Sequence, residues 1–140
     1  MSEGVKGVVV SHASLAQGMV QSVRQIAGAA EDALVPVSND GRGPEALQEA
    51  VREALGDGPG IVFADMPSGS CAFAGRRLIQ DRPDTAVICG VNLPMLLDFV
   101  FHRDLPLADL SDRLVSKGKA SITGASREPA GAHADRAAAR

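Results

Sequence analysis

The segment Val8-Val9-Val10-Ser11-His12-Ala13-Ser14-Leu15-Ala16-Gln17-Gly18 sets an ionisable ring between an apolar β-branched run and a stretch with helical spacing. Residues 7–11 read as a short buried strand. After them Leu15, Met19, Val20, Val23 and Ile26 recur at intervals of three and four up to Gly28, which predicts an amphipathic helix. His12 therefore stands where a strand hands the chain to a helix.

The same cycle continues along the chain. Residues 33–37 form a second apolar run, closed by the turn formers Ser38-Asn39-Asp40-Gly41-Arg42-Gly43-Pro44. Pro44 suits the first turn of a helix whose buried face is Leu47, Val51 and Leu55, and Gly56-Asp57-Gly58-Pro59 stops it. Gly60-Ile61-Val62-Phe63-Ala64 is a third strand ending at Asp65, followed by a helix over about 69–80. A fourth strand, 86–89, leads through Gly90-Val91-Asn92-Leu93-Pro94 into an apolar helix ending near His102. Four alternations with continuously apolar strands predict an α/β fold, a parallel sheet covered by helices on both faces. A further helix is expected over 107–116, and Ala120-Ser121-Ile122 reads as a short last strand. Residues 123–140, rich in Ala, Arg, Gly and Pro, have little to bury and read as a disordered tail after one domain over 1–122.

Composition narrows the function classes. The 140 residues are 45% hydrophobic, enough for one core, and the formal net charge is −3 with basic residues scattered singly, so nucleic-acid binding is not expected. No apolar run approaches the roughly 20 residues that span a bilayer, and the start Ser2-Glu3-Gly4 lacks the pattern of a signal peptide; a cytoplasmic location is expected. Cys71 and Cys89 have no CxxC spacing, so neither a zinc framework nor a disulfide is predicted. Trp and Tyr are absent, which removes the usual stacking residues for sugars and bases. A site in this chain works by charge and backbone hydrogen bonds.

Parallel α/β sheets bind ligands beyond the carboxyl ends of their strands, where strand order reverses. In the usual order 2-1-3-4 the first and third strands are neighbours, and they end at His12 and Asp65. A carboxylate that accepts from one ring nitrogen fixes the tautomer and leaves the other nitrogen a bare nucleophile. Taken alone, His12 is better read as capping the next helix and Asp65 as starting a turn; their coincidence at paired strand ends points to a site. Ser68, Gly69 and Ser70 then lead into a helix whose first amides favour an anion. Gly69 permits close backbone approach and Ser70 adds a hydroxyl donor. Nucleophilic imidazole, orienting carboxylate and anion-binding helix start describe a phosphohistidine site, and no Walker lysine pattern accompanies them.

Three ordered motifs carry a resemblance: "VVVSHASLAQGMVQSV" around His12, "IVFADMPSGSCAFAGRRL" around Asp65, and "VICGVNLPMLLDFVFHRD" after the fourth strand. Over about residues 5–122 the chain resembles the mannose-family enzyme IIA domain of the bacterial phosphoenolpyruvate-dependent sugar phosphotransferase system. The resemblance implies a flavodoxin-like domain in which His12 accepts a phosphoryl group from the phosphocarrier HPr and passes it to a histidine on enzyme IIB for coupled sugar uptake. His12 would react through Nε2 while Asp65 holds the Nδ1 proton, with Ser68, Gly69 and Ser70 around the phosphoryl oxygens. It implies no metal and no cofactor, contact with the inner-membrane permease complex only indirectly, and a homodimer exchanging an antiparallel C-terminal strand, placed at 120–122. Asn92, Pro94, Met95 and Arg42 are the candidates for a partner surface.

Two departures stand out. The family pattern has glycine after the active histidine and a "GGSP" loop, where this chain has Ala13 and Ser68-Gly69-Ser70-Cys71. Ala13 costs little if its backbone stays in an ordinary region. Cys71 has two readings, a thiol whose pKa is lowered by the amide cluster or a small buried residue. Two other functions share the same histidine chemistry: a regulatory phosphoprotein of the pathway, expected because the chain carries no fused IIB domain, and the phosphotransfer subunit of dihydroxyacetone kinase. Asn92-Leu93-Pro94-Met95 argues against the second.

Overall fold

A computed structural model describes residues 4–28 and 32–127. Its elements are β1 (Lys6–Ser11), α1 (Leu15–Ala27), β2 (Leu34–Ser38), α2 (Pro44–Leu55), β3 (Gly60–Ala64), α3 (Ser70–Leu78), β4 (Thr85–Cys89), α4 (Leu93–Val100) and α5 (Leu107–Ala120). The sheet is four-stranded and parallel in the order β2-β1-β3-β4. The register pairs Val10 with Val37 and with Ala64, so Ser11 and His12 leave the sheet level with Asp65. Pro36, which has no N–H to donate, sits on edge strand β2.

Alternate strand residues divide the core between two faces. Val9, Ile61 and Phe63 join Ala16, Val20 and Val23 of α1, Leu96 and Phe99 of α4, and Leu110 and Leu114 of α5. Val8, Val10 and Val62 meet Leu47, Val51 and Leu55 of α2 and Cys71, Ala72, Ala74 and Leu78 of α3. Phe63 and Phe99 pack edge to face, with centroids 5.3 Å apart. Two glycines let elements approach: a Cβ on Gly7 would lie 2.8 Å from the Phe99 ring, and one on Gly75 would lie 2.8 Å from Val87.

Three expectations change. α5 runs to Ala120 and Ser121 is a turn, so 120–122 is the end of a helix and its turn and not a strand; the exchanged C-terminal strand has no counterpart among the described residues. Gly118 lies buried within this helix, and a Cβ there would stand 2.6 Å from Met95 Cε. On α1, Leu15 and Ile26 are exposed, and the small Ala16 takes the buried place beside Val20 and Val23. Residues 122–127 are exposed and in neither helix nor strand; the rest of the expected tail, 128–140, lies outside the described residues. No helix among the described residues is long and apolar enough to cross a membrane.

Candidate functional site

β1 and β3 deliver the two central residues. The Asp65 amide bonds the Val10 carbonyl at 3.2 Å, and the Asp65 carboxylate turns back across the gap. Its Oδ2 accepts from His12 Nδ1 at 2.7 Å and from the His12 backbone N–H at 3.0 Å. Two donors from one residue fix the ring's position and hold the proton on Nδ1, leaving the Nε2 lone pair free to act as a nucleophile. The His12 side chain is 45% exposed and that of Asp65 only 8%. Burial pushes the Asp65 carboxyl up, but the His12 side-chain and backbone hydrogen bonds and the imidazole charge outweigh it and hold the group below its ordinary value. Asp65 Oδ1 is buried with no hydrogen-bond partner.

The turn that carries His12 is pinned from both sides. Ser11 is buried; its hydroxyl donates to the His12 carbonyl and accepts from Ala16 N–H at 2.6 Å, which starts α1. Ala13 has φ +51°, so the alanine does not stay in an ordinary region and takes the left-handed conformation that glycine adopts without penalty. Ser38 at the end of β2 donates to the Ala13 carbonyl at 2.7 Å and accepts from the Asp40 amide at 3.1 Å. Sequence reasoning missed Ser11 and Ser38, because a serine ending an apolar strand carries no signal of which carbonyl it will meet.

The loop after Asp65 closes over the ring. Ser68, Gly69 and Ser70 are all exposed, and Gly69, with φ +94°, is the residue before α3. A Cβ on Gly69 would lie 3.6 Å from His12 Cε1 and 3.8 Å from Nε2, so the bare backbone faces the Cε1–Nε2 edge of the ring. Asn39 Nδ2 donates to Ser70 Oγ at 3.4 Å, and Arg42 donates to the Ser38 carbonyl, which brings the β2–α2 loop to the same rim.

The remaining candidates separate. Asn92 is the N-cap of α4, accepting from Met95 N–H at 3.1 Å and donating through Nδ2 to the Gly118 carbonyl at 3.0 Å. Met95 is buried and packs in the core, so it does not contribute to a partner surface as expected. Pro94 is half-buried in the first turn of α4. Cys71 is fully buried, with Sγ 3.9 Å from His12 Nδ1. Burial and then the Asp65 charge push its thiol up, against the lowered value that the amide cluster implied. His12, Asp65 and Cys71 together place a ring nitrogen, a carboxylate oxygen and a sulfur within 4.8 Å of one another.

Fold and site thus define a doubly wound α/β domain with a carboxylate-held histidine at the switch between its two central strands. The profile of the EIIA-man family, described as PTS system fructose IIA component, matches residues 6–112, and the chain belongs to this family. The fold is similar to that of phosphotransferase system component EIIA from Streptococcus agalactiae, with 24% identity and a TM-score of 0.79 over 86% of this chain and 96% of that one. The mannose/sorbose specific IIA subunit of Enterococcus faecalis is 22% identical, with a TM-score of 0.77 over 90% of this chain and 98% of its own. A PTS IIA protein associated with the fucose utilization operon of Streptococcus pneumoniae is 17% identical, with a TM-score of 0.75 over 88% and 94%.

Proposed function

We propose that this phosphotransferase-system component carries a phosphoryl group on His12 Nε2, taken from phosphorylated HPr and passed to a histidine of enzyme IIB. The observation that carries the reading is the 2.7 Å bond from His12 Nδ1 to Asp65 Oδ2, with the other edge of the ring facing Gly69. As Nε2 attacks, the new N–P bond forms in line with the breaking bond to the donor histidine. Positive charge develops on the imidazole, and Asp65 stabilises it through the retained Nδ1 proton. The backbone around Gly69 and the Ser70 hydroxyl surround the phosphoryl oxygens, with Ser68 at the rim. Donation to enzyme IIB runs the same steps in reverse, and neither direction needs a metal or cofactor.

A shallow hollow of about 440 Å³ beside the His12 turn is lined by Ser14, Leu15, Gly18, Met19, Ser22 and Leu93, and gives the carrier proteins an apolar surface to dock on. Arg42, held by the Ser38 carbonyl at the end of β2, adds a positive charge on the β2–α2 loop. The protein works on the cytoplasmic side and reaches the inner membrane only through the permease complex. A homodimer is part of this reading, and light scattering on the intact chain tests it.

The test is labelling with radioactive phosphoenolpyruvate in the presence of enzyme I and HPr. The wild-type chain takes up one acid-labile phosphate and His12→Ala takes up none; equal labelling of the two overturns the proposal. Chasing the label onto enzyme IIB separates the transport relay from a regulatory phosphoprotein.

A further inference from the structure

Cys71 stands where the family pattern has proline, and the fold brings its sulfur beneath the active ring. We propose that His12 Nδ1, the Asp65 carboxylate and the Cys71 thiolate bind a thiophilic divalent cation of the zinc class, and that the ion and the phosphoryl group exclude one another. The exclusion rests on the phosphoryl-carrier reading above; the binding does not.

The three donors come from the residues that directly follow β1 and β3 and from the first turn of α3, and their ligand atoms lie within 4.8 Å of one another. A nitrogen, an oxygen and a sulfur suit a borderline-soft ion, which takes them at about 2.0–2.1, 2.0–2.2 and 2.3 Å in tetrahedral geometry. Those lengths set N···S near about 3.5 Å and N···O near about 3.3 Å. The observed separations are 3.9 Å for Cys71 Sγ to His12 Nδ1 and 2.7 Å for Nδ1 to Oδ2. These two separations need adjustments of about half an ångström, the sulfur and the carboxylate oxygen lie within 4.8 Å, and the fourth position is left to water.

A second observation points the same way. The Asp65 side chain is more than nine-tenths buried, and its Oδ1 has no hydrogen-bond partner. A buried carboxylate with one unmatched oxygen costs free energy that a cation bound to the same carboxylate partly recovers. Cys71 is itself fully buried and plays no part in the transfer described above.

The proton balance makes the exclusion chemical. Binding takes the thiol proton to solvent, strips Nδ1 of its proton, and leaves the neutral ring protonated on Nε2. The pair of electrons that would attack phosphorus is then an N–H bond. In the opposite direction, a ring phosphorylated on Nε2 can no longer shift its Nδ1 proton to Nε2, so the metal has to drive that proton out to solvent and away from the Asp65 carboxylate. Each ligand lowers the affinity for the other by the same factor.

Cadmium titration of the full chain reads the site directly, through the ultraviolet thiolate-to-metal charge-transfer band. The band saturates at one ion per chain, persists in Cys89→Ser, and is lost in Cys71→Ser and Cys71→Ala, whose folding is verified by circular dichroism. His12→Ala, at an exposed position, weakens the ion at least tenfold and keeps the test open if the Cys71 variants do not fold. No band in the wild type, or an unchanged band in Cys71→Ser or His12→Ala, overturns the proposal. In the labelling assay zinc suppresses phosphorylation of the wild type and spares Cys71→Ala in the same mixture; equal suppression of both overturns the exclusion. A chain that shows the band but takes no label without zinc counts against the carrier reading alone.

Discussion

Ala13 holds a left-handed turn next to His12 without the glycine that would adopt it freely. Left-handed backbone costs a non-glycine residue roughly 1 kcal/mol, and here the Ser38 hydroxyl on the Ala13 carbonyl keeps the turn in place. Ala13→Gly is therefore expected to stabilise the protein by about 0.5–1 kcal/mol in urea unfolding while labelling of His12 continues. Gly69 is the opposite case. With φ +94° and ψ −175° it occupies a region open essentially to glycine alone, and a Cβ there would stand against His12 Nε2. Gly69→Ala should cost about 1–3 kcal/mol of stability and slow phosphoryl uptake roughly tenfold or more, measured by quenched-flow labelling. An unchanged rate would mean that the phosphoryl group approaches from elsewhere.

Among the elements, α4 and α5 are coupled by polar contacts that no periodicity reveals. Asn92 caps α4 with its carbonyl oxygen and reaches the Gly118 carbonyl on α5 with its amide. Asn92→Ala removes both bonds at a half-buried position and is expected to destabilise by about 1–2 kcal/mol, without a direct effect on transfer. Thermal unfolding alongside the labelling assay separates the two. Much of the element pattern was legible in advance: Leu47, Val51 and Leu55 are all buried, as their spacing predicts, and β1 and β3 end where their apolar runs end. Helix ends were less so. The helix expected over 107–116 runs on to Ala120, and Gly118 within that extension is a point of close contact with Met95 that only the fold reveals.

Across the whole molecule, two largely buried carboxylates tie distant parts of the chain together. Asp65 joins β3 to the His12 turn, and Asp98 on α4 takes two bonds from Arg113 on α5, at 2.8 and 3.1 Å. The Arg113 hydrogen bonds outweigh burial and hold the Asp98 carboxyl below its ordinary value; Asp65 is lowered by its bonds to His12. A group lowered in the folded state contributes stability that is present above its unfolded pKa of about 3.9 and lost as pH falls through the folded value. The melting temperature is expected to hold through the neutral range and to fall steeply below about pH 4. Asp98→Asn should melt lower at neutral pH and show a shallower acid decline; an acid limb as steep as the wild type's would show that Asp98 is not one of the groups responsible.

The order of apolar runs, turn formers and polar strand ends by itself determined an α/β chain with His12 and Asp65 at the carboxyl edge. That information is local and periodic, and a strand's end is written in the residues that follow it. Which nitrogen of His12 meets which oxygen, the left-handed turn at Ala13, the burial of Met95, and the sulfur of Cys71 beneath the ring were decided only in the tertiary structure. Each depends on where residues from separate strands and helices come to rest once the sheet is assembled, and spacing along the chain carries no record of those distances.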